Sequence, residues 1–131
     1  MTTFTPNTAA DVLDAVSWAA AEEQPLEIVG LGSKRAIGRP VQVAHAVDLS
    51  RLTGVTLYEP EELVLSARAG TSLAEIEALL AERGQELAFE PMDYSLLLGA
   101  GTPSPAKSGT IGGALAANLS GPRRLKAGAA R

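Results

Sequence analysis

Three glycine-bearing segments hold the residues whose types and spacing could do chemistry. The first, Gly30-Leu31-Gly32-Ser33-Lys34, follows directly on the run Leu26-Glu27-Ile28-Val29. A glycine-rich turn after a strand lets the backbone come close to a ligand, and successive N–H groups can cradle a phosphate. Arg35 stands where the third glycine of G-x-G-x-x-G belongs, and Gly38 and Pro40 interrupt the helix that should open there. A dinucleotide fingerprint of the Rossmann kind is therefore excluded. Phosphate binding and an ordinary tight turn are equally compatible with these five residues.

The second segment, Gly101-Thr102-Pro103-Ser104-Pro105-Ala106-Lys107-Ser108, has the outline of a P-loop with alanine in place of its second glycine. Pro103 and Pro105 each lack an N–H in the very loop whose N–H groups must wrap the phosphates, and Gly109 breaks the helix that should follow. A nucleotide-hydrolysing P-loop is not expected. Ser104-x-x-Lys107 also has the spacing of the serine–lysine pair of penicillin-binding enzymes, but its companion motifs are missing. In the third segment, Gly109-Thr110-Ile111-Gly112-Gly113-Ala114-Leu115-Ala116-Ala117-Asn118-Leu119-Ser120-Gly121, Thr110 can cap a helix with two glycines in its first turn. Each costs about 1 kcal/mol of helix stability relative to alanine. A side chain there would obstruct either a packed backbone or a ligand, and exposed N–H groups at the helix start would favour an anion. Asn118-Leu119-Ser120 fits a glycosylation acceptor, a chance match without a secretion signal.

Composition removes other chemistry. There is no cysteine, so disulfides, cysteine–zinc sites, iron–sulfur ligation and thiol catalysis drop out together. His45 is the single imidazole, which excludes a multi-histidine metal site; no metal is expected. With 131 residues, 46% apolar and 20% charged, the chain has a globular composition. Its apolar runs fall short of a membrane span, and the N-terminus has neither a basic region nor a continuous apolar core. The expectation is a soluble, cytoplasmic domain. Residues 1–106 carry 15 acids and 6 bases, whereas residues 107–131 carry five bases and no acid. That basic end can face solvent, a phosphate-bearing cofactor or an acidic partner. No basic repeat interleaved with aromatics occurs, so nucleic-acid binding is not expected.

The elements that must position these segments follow from capping and periodicity. Thr8-x-x-Asp11 has the form of a capping box, with Val12, Leu13, Val16 and Ala20 following at helical spacing until Pro25. Leu26–Val29, residues 46–49, 55–58 and 63–69 read as short strands. Ser72-x-x-Glu75 opens a helix with Leu73, Ile76, Leu79 and Leu80 as its buried stripe and Gly84 after its end. Residues 99–110 read as a loop, and residues 111–119 as a last helix with Ile111, Leu115 and Leu119 on one face and Gly121-Pro122 as its stop. Short strands mixed with helices make an α+β domain.

In order and spacing, these pieces resemble a known family. The strand into Gly30-Leu31-Gly32-Ser33-Lys34 is followed by Leu63-Val64-Leu65-Ser66-Ala67-Arg68-Ala69-Gly70-Thr71-Ser72-Leu73 and the helix ending at Gly84. Thr110-Ile111-Gly112-Gly113 and Asn118-Leu119-Ser120-Gly121-Pro122-Arg123-Arg124 complete the series. The set is similar to the PCMH-type FAD-binding domain shared by vanillyl-alcohol oxidase, p-cresol methylhydroxylase and D-lactate dehydrogenase. Residues 112–131 most resemble the small FAD-binding subunit of bacterial glycolate oxidase.

The resemblance implies a small α/β subdomain against the start of a larger mixed sheet, with FAD stretched between them. On this reading residues 1–131 are the N-terminal portion of one FAD-binding domain whose sheet continues past Arg131. Gly30, Leu31, Gly32, Ser33 and Lys34 would hold the FAD pyrophosphate through backbone N–H groups, and Ser33 adds a hydroxyl. Thr110, Ile111, Gly112 and Gly113 would form the second wall. Asn118, Ser120, Gly121 and Gly128 would lie near the isoalloxazine or its support, and Pro91 would border the flavin. The first glycine loop has no histidine to tether a flavin, so FAD is expected to be non-covalent. A 2-hydroxy acid such as glycolate would give a hydride to flavin N5, and electrons would leave through partner flavin and iron–sulfur subunits, which could bring the protein to the inner membrane. No catalytic residue is named, because the family's substrate-binding and acid/base residues lie in the part that follows. A chain that only carries or docks FAD is the alternative from the binding-module class, and a P-loop-like enzyme built on residues 101–108 is the third reading.

Overall fold

The computed structural model describes residues 2–95, 97–98 and 109–130. The P-loop-like run 101–108, with Ser104 and Lys107, lies outside the described residues. The first layer is a three-stranded parallel sheet in the order β1 (Thr2–Phe4), β3 (His45–Asp48), β2 (Leu26–Val29). Helix α1 (Ala9–Ala21) links β1 to β2. Its start is the expected capping box: Thr8 Oγ1 accepts from Asp11 N at 3.2 Å, and Asp11 Oδ2 accepts from Thr8 N at 2.9 Å and from Asn7 N at 2.8 Å. These N–H donors hold the Asp11 carboxyl below its ordinary value.

The buried face of α1 differs from the expected one. Ala15 and Ala19 are buried, whereas Leu13 is 65% exposed and Val16 46%. Nearly every position around this alanine-rich helix is apolar, so periodicity alone does not select a face. Packing does: Ala15 and Ala19 are the positions that become buried, and Trp18 meets Phe4 of β1 at 5.1 Å and His45 of β3 at 5.0 Å.

The second layer is an antiparallel hairpin, β4 (Val55–Glu59) with β5 (Val64–Ala67), joined by a short 3₁₀ turn over Pro60–Glu62. The strand expected over residues 63–69 is shorter at both ends. Leu63 is left-handed at φ 57 and 81% exposed, as the residue that closes the 3₁₀ turn. Ala69 and Gly70 leave the ladder to form a corner. Helix α2 (Leu73–Ala81) follows, capped by Ser72 Oγ accepting from Glu75 N, with Leu73, Ile76 and Leu80 buried as expected. Gly84, at φ +65, reverses the chain after it. Gln85 then accepts from the Tyr58 hydroxyl at 2.6 Å and donates to Pro60 O at 2.7 Å, which ties the end of α2 to the hairpin.

Helix α3 covers Ile111–Ala117, shorter than expected, because Asn118 takes the left-handed conformation (φ 49) and ends it before Gly121-Pro122. Ala114 is its buried residue, while Leu115 is 39% exposed. A short helix α4 (Arg124–Ala127) and strand β1 carry no periodic signal in so few residues and were not expected.

The corner at residues 69–72 joins the layers. Gly70 N donates to Leu52 O at 2.8 Å, and a Cβ on Gly70 would sit 2.1 Å from Leu49 O. The fully buried Thr71 hydroxyl accepts from Gly54 N at 2.9 Å and lies 2.7 Å from Arg68 O, to which it can donate. Two outcomes follow for stability. Gly70→Ala drives a methyl into backbone that cannot swing away, and urea unfolding should show a loss on the order of 3 kcal/mol. The Asp11 carboxyl has a folded pKa below its unfolded one, so its contribution is present above the ordinary value of 3.8 and fades as pH falls through the folded value. Asp11→Asn should therefore flatten the acid limb of a Tm-against-pH curve and leave its alkaline side in shape.

Candidate functional site

The glycine loop after β2 and the N-terminal turn of α3 are far apart in sequence and adjacent in space. The corner makes them so. Ser72 and Thr110 form an isolated antiparallel bridge, Leu73 N donates to Gly109 O at 3.0 Å, and Ile111 N donates to Thr71 O at 2.9 Å. Gly112 N adds a bond to Ala69 O at 3.0 Å. Thr110 is thereby fixed and buried, and the loop closes over it: a Cβ on Gly30 would lie 2.8 Å from Thr110 Oγ1.

Between them lies a cleft of about 360 Å³, lined by residues 27–35, Ile37, Thr110, Gly113, Ala116 and Ala117. All five expected loop residues, Gly30, Leu31, Gly32, Ser33 and Lys34, are in this lining, and so are Thr110 and Gly113. Gly32 is left-handed at φ +74, a conformation that L side chains rarely adopt. The N–H groups of Leu31, Gly32, Ser33 and Lys34 have no hydrogen-bond acceptor among the described residues. A bidentate pair from Arg35 Nε and Nη2 to Glu27 at 2.7 and 2.6 Å fastens the loop to β2. Arg35, which spoils the Rossmann pattern, thus has a structural task of its own.

Of the charged residues lining the cleft, Glu27 and Arg35 pair with each other and Lys34 has no ion pair among the described residues. Its Nζ lies 3.3 Å from the hydroxyl of Ser33, which is 6% exposed. Burial pushes the Lys34 ammonium below the ordinary lysine value, and Asp93 acts on it in the opposite sense. Hydrogen bonding from Ser95 holds the Asp93 carboxyl below the usual range, with Lys34 adding to the effect.

The α3 turn corrects one expectation. Its N–H groups are not exposed: those of Ile111 and Gly112 go to Thr71 O and Ala69 O, and that of Gly113 goes to Thr110 Oγ1 at 3.1 Å. The two glycines also divide. A Cβ on Gly112 would meet Ala69 Cβ and O at 2.8 Å, so this glycine serves close packing. Gly113 faces the cleft, where its missing side chain leaves room below Lys34 Nζ.

The remaining expected residues gather elsewhere. Gly121 is buried against Glu90, with a would-be Cβ 2.6 Å from Glu90 Cβ, and its N–H donates to Phe89 O at 2.9 Å. Arg123 closes this second cluster with ion pairs to Glu90 at 3.1 Å and Glu86 at 3.2 Å, beside Pro91. Ser120 Oγ accepts from Ala130 N at 2.9 Å. Asn118 is the exposed C-cap of α3, and a Cβ added to Gly128, at φ +92, would meet none of the described residues within 4 Å. Neither residue lines the cleft. Sequence reasoning missed Glu27, Arg35, Ala116 and Ala117 as lining; the small pair three and four residues after Gly113 is the signal that a helical face was being kept clear.

Residues 2–131 match the family model described as FAD binding domain. The chain belongs to that family. A curated relative, glycolate oxidase subunit GlcE of Escherichia coli (strain K12), is 38% identical over 120 residues, covering 92% of this chain and 31% of the relative. The chain thus spans about a third of that relative's length. Among solved structures, alkyldihydroxyacetonephosphate synthase superposes with a TM-score of 0.68 at 22% identity, over 97% of this chain and 22% of that one. Aclacinomycin oxidoreductase gives 0.65 at 20% identity, over 98% and 23%. These two matches show the fold: a mixed α/β arrangement of the PCMH-type FAD-binding domain, as the sequence implied.

FAD is the cofactor of this flavoprotein domain, and the cleft suits it. It is lined by backbone donors with no acceptor among the described residues, by a lysine and by glycines. The two α3 glycines give a discriminating measurement. Gly112→Ala should lower the unfolding midpoint, because Ala69 backbone is in the way. Gly113→Ala, whose Cβ would press at 3.2 Å on the Thr110 side chain rather than on backbone, should lower it less, the gain of up to about 1 kcal/mol for alanine in a helix offsetting that contact, yet weaken FAD binding in a fluorescence titration.

Proposed function

We propose that this chain is the FAD-binding part of a flavin-dependent dehydrogenase or oxidase of small 2-hydroxy acids, of the glycolate type. The observation that carries the reading is the cleft between the glycine loop and α3, whose loop N–H groups have no acceptor among the described residues, in a chain 38% identical to a glycolate oxidase subunit. The backbone of residues 30–34 holds the cofactor's diphosphate, and Gly113 with Thr110 gives it a smooth second wall. Ile111 and Gly112 support that wall from behind through their bonds to the corner. Pro91, Ser120 and Gly121 back the flavin end, where Gly121 packs against the Glu90 that pairs with Arg123, with Asn118 and Gly128 at its outer edge.

When bound, FAD supplies a two-electron acceptor for the hydride of a 2-hydroxy acid. This chain's own share is positioning: it grips the diphosphate end and keeps the flavin in register. No histidine lies in the glycine loop, so FAD is held without a covalent link. Reducing equivalents leave through partner flavin and iron–sulfur subunits of a complex, on the cytoplasmic side. No helix among the described residues is long and apolar enough to cross a membrane; inner-membrane contact of the complex runs, on this reading, through those partners.

The test uses the full-length protein and its complex. It should purify yellow, and acid or heat denaturation should release all flavin into the supernatant. Dye reduction by the complex should be faster with glycolate than with D-lactate. A colourless protein that leaves added FAD unbound overturns the reading. Retained FAD without reduction by either hydroxy acid leaves a cofactor-carrying subunit in its place.

A further inference from the structure

Among the described residues, four that are not glycine stand in the left-handed region: Glu23, Leu63, Glu90 and Asn118. Three of them follow a helix end, Glu23 after α1, Leu63 after the 3₁₀ turn and Asn118 after α3, where that conformation is common. Glu90, at φ +51, follows none; it closes a turn in which its N–H donates to Leu87 O at 3.1 Å. The left-handed region penalises an L side chain, and Pro91 next in the chain favours an extended residue here. Such strain persists only where the surroundings over-determine the residue. Around Glu90 they do. Its Oε1 accepts from Arg123 N at 2.9 Å, and its Oε2 pairs with Arg123 Nε at 3.1 Å. Glu86 takes Arg123 Nη2 at 3.2 Å. The main chain joins in: Gly121 N donates to Phe89 O at 2.9 Å, and a Cβ on Gly121 would stand 2.6 Å from Glu90 Cβ. Glycine would suit the Glu90 backbone better, but it brings no oxygen to the N–H and guanidinium of Arg123. One carboxylate thus ties residues 86–91 to residues 120–123, across 33 positions of sequence.

We propose that Glu90 is a positioning residue, whose carboxylate clamps the turn before Pro91 and the turn after α3 into one wall that steadies the flavin end of the cofactor. This rests on the reading in which Pro91, Ser120 and Gly121 back the flavin. Glu90 touches no reacting atom in this role. It acts through Pro91, whose direction follows from the left-handed Glu90 backbone, and through Gly121, which lies against its Cβ. Residues 30–34 make no hydrogen bond or ion pair with the clamp among the described residues; their loop is fastened separately, by Arg35 to Glu27. The two ends of the site therefore hang on different ion pairs, and one can be loosened without the other.

Two variants of the full-length protein test it. Glu90→Gly removes the carboxylate and the left-handed penalty together, whereas Glu90→Gln breaks the ion pair but keeps an acceptor for Arg123 N. In the apoprotein, hydrogen exchange across residues 120–124 should rise roughly 10-fold in Glu90→Gly and less in Glu90→Gln, with exchange in residues 30–37 as in wild type. FAD should bind Glu90→Gly roughly 3- to 10-fold more weakly and lose visible flavin circular dichroism, with the glutamine variant nearer wild type. ADP, which carries the diphosphate and no flavin, should bind both variants as it binds wild type. Wild-type exchange at residues 120–124 in Glu90→Gly would overturn the clamp. Faster exchange with unchanged FAD affinity and circular dichroism would overturn its role at the flavin. Equal losses for FAD and ADP that track a lowered urea midpoint would make Glu90 a structural residue and end the proposal while the cofactor reading stood. A wild-type protein that binds neither FAD nor ADP would overturn that reading and the proposal together.

Discussion

The structure depends on a short seam of backbone hydrogen bonds between residues 69–73 and 109–112. Ala69 and Thr71 accept from Gly112 and Ile111, Leu73 donates to Gly109, and Ser72 bridges Thr110. The same corner is fixed from the other side, where Gly70 meets Leu52 and Leu49 and Thr71 holds Gly54. One tight turn therefore registers the parallel sheet, the hairpin, α2 and α3 against one another. Were the seam to slip, Thr110 would leave Gly30 and the cleft would lose a wall. Backbone groups do this work because their geometry tolerates little slack and their burial makes an unpaired partner costly.

The glycines fall into two kinds on that frame. Gly30, Gly70, Gly112 and Gly121 are small because another part of the protein lies against the missing side chain. Gly32 and Gly109 are left-handed turns beside the cleft, and Gly113 lines it. The glycines of this chain thus serve both close packing and the shape of the cleft. Gly112 and Gly113 are neighbours in sequence and belong to different kinds, since successive helix positions point about 100° apart.

Charge is distributed with the same division. Arg35 and Arg123 are spent on internal ion pairs that fasten loops, to Glu27 in one case and to Glu86 and Glu90 in the other. Lys34 is left as the cation of the cleft. The basic end seen in the sequence is therefore not a single surface: Arg123 faces acids of its own chain, while Arg124 and Lys126 ride on the exposed α4. Membership of the FAD-binding domain family accounts for a glycine-rich chain with one histidine, no cysteine and no cluster of metal ligands among its described residues. The reactive group is the cofactor's, and the protein contributes its placement.

The sequence by itself determined the local elements and the identity of the cofactor family. Capping boxes at Thr8 and Ser72, the stripe of α2, the strand before Gly30 and the ordered glycine motifs are all set by interactions within a few residues, so they are legible one segment at a time. Tertiary structure decided what periodicity could not: which face of the alanine-rich α1 is buried, where α3 ends, and that Gly112 packs whereas Gly113 opens the cleft. It also decided that Arg35 fastens a loop, that the first N–H groups of α3 are already taken, and that Pro91 and Gly121 lie in a cluster apart from the glycine loop at residues 30–34. Each of these depends on which distant backbone arrives against a residue. Spacing along a chain fixes direction within an element, but only the folded contacts fix what stands opposite.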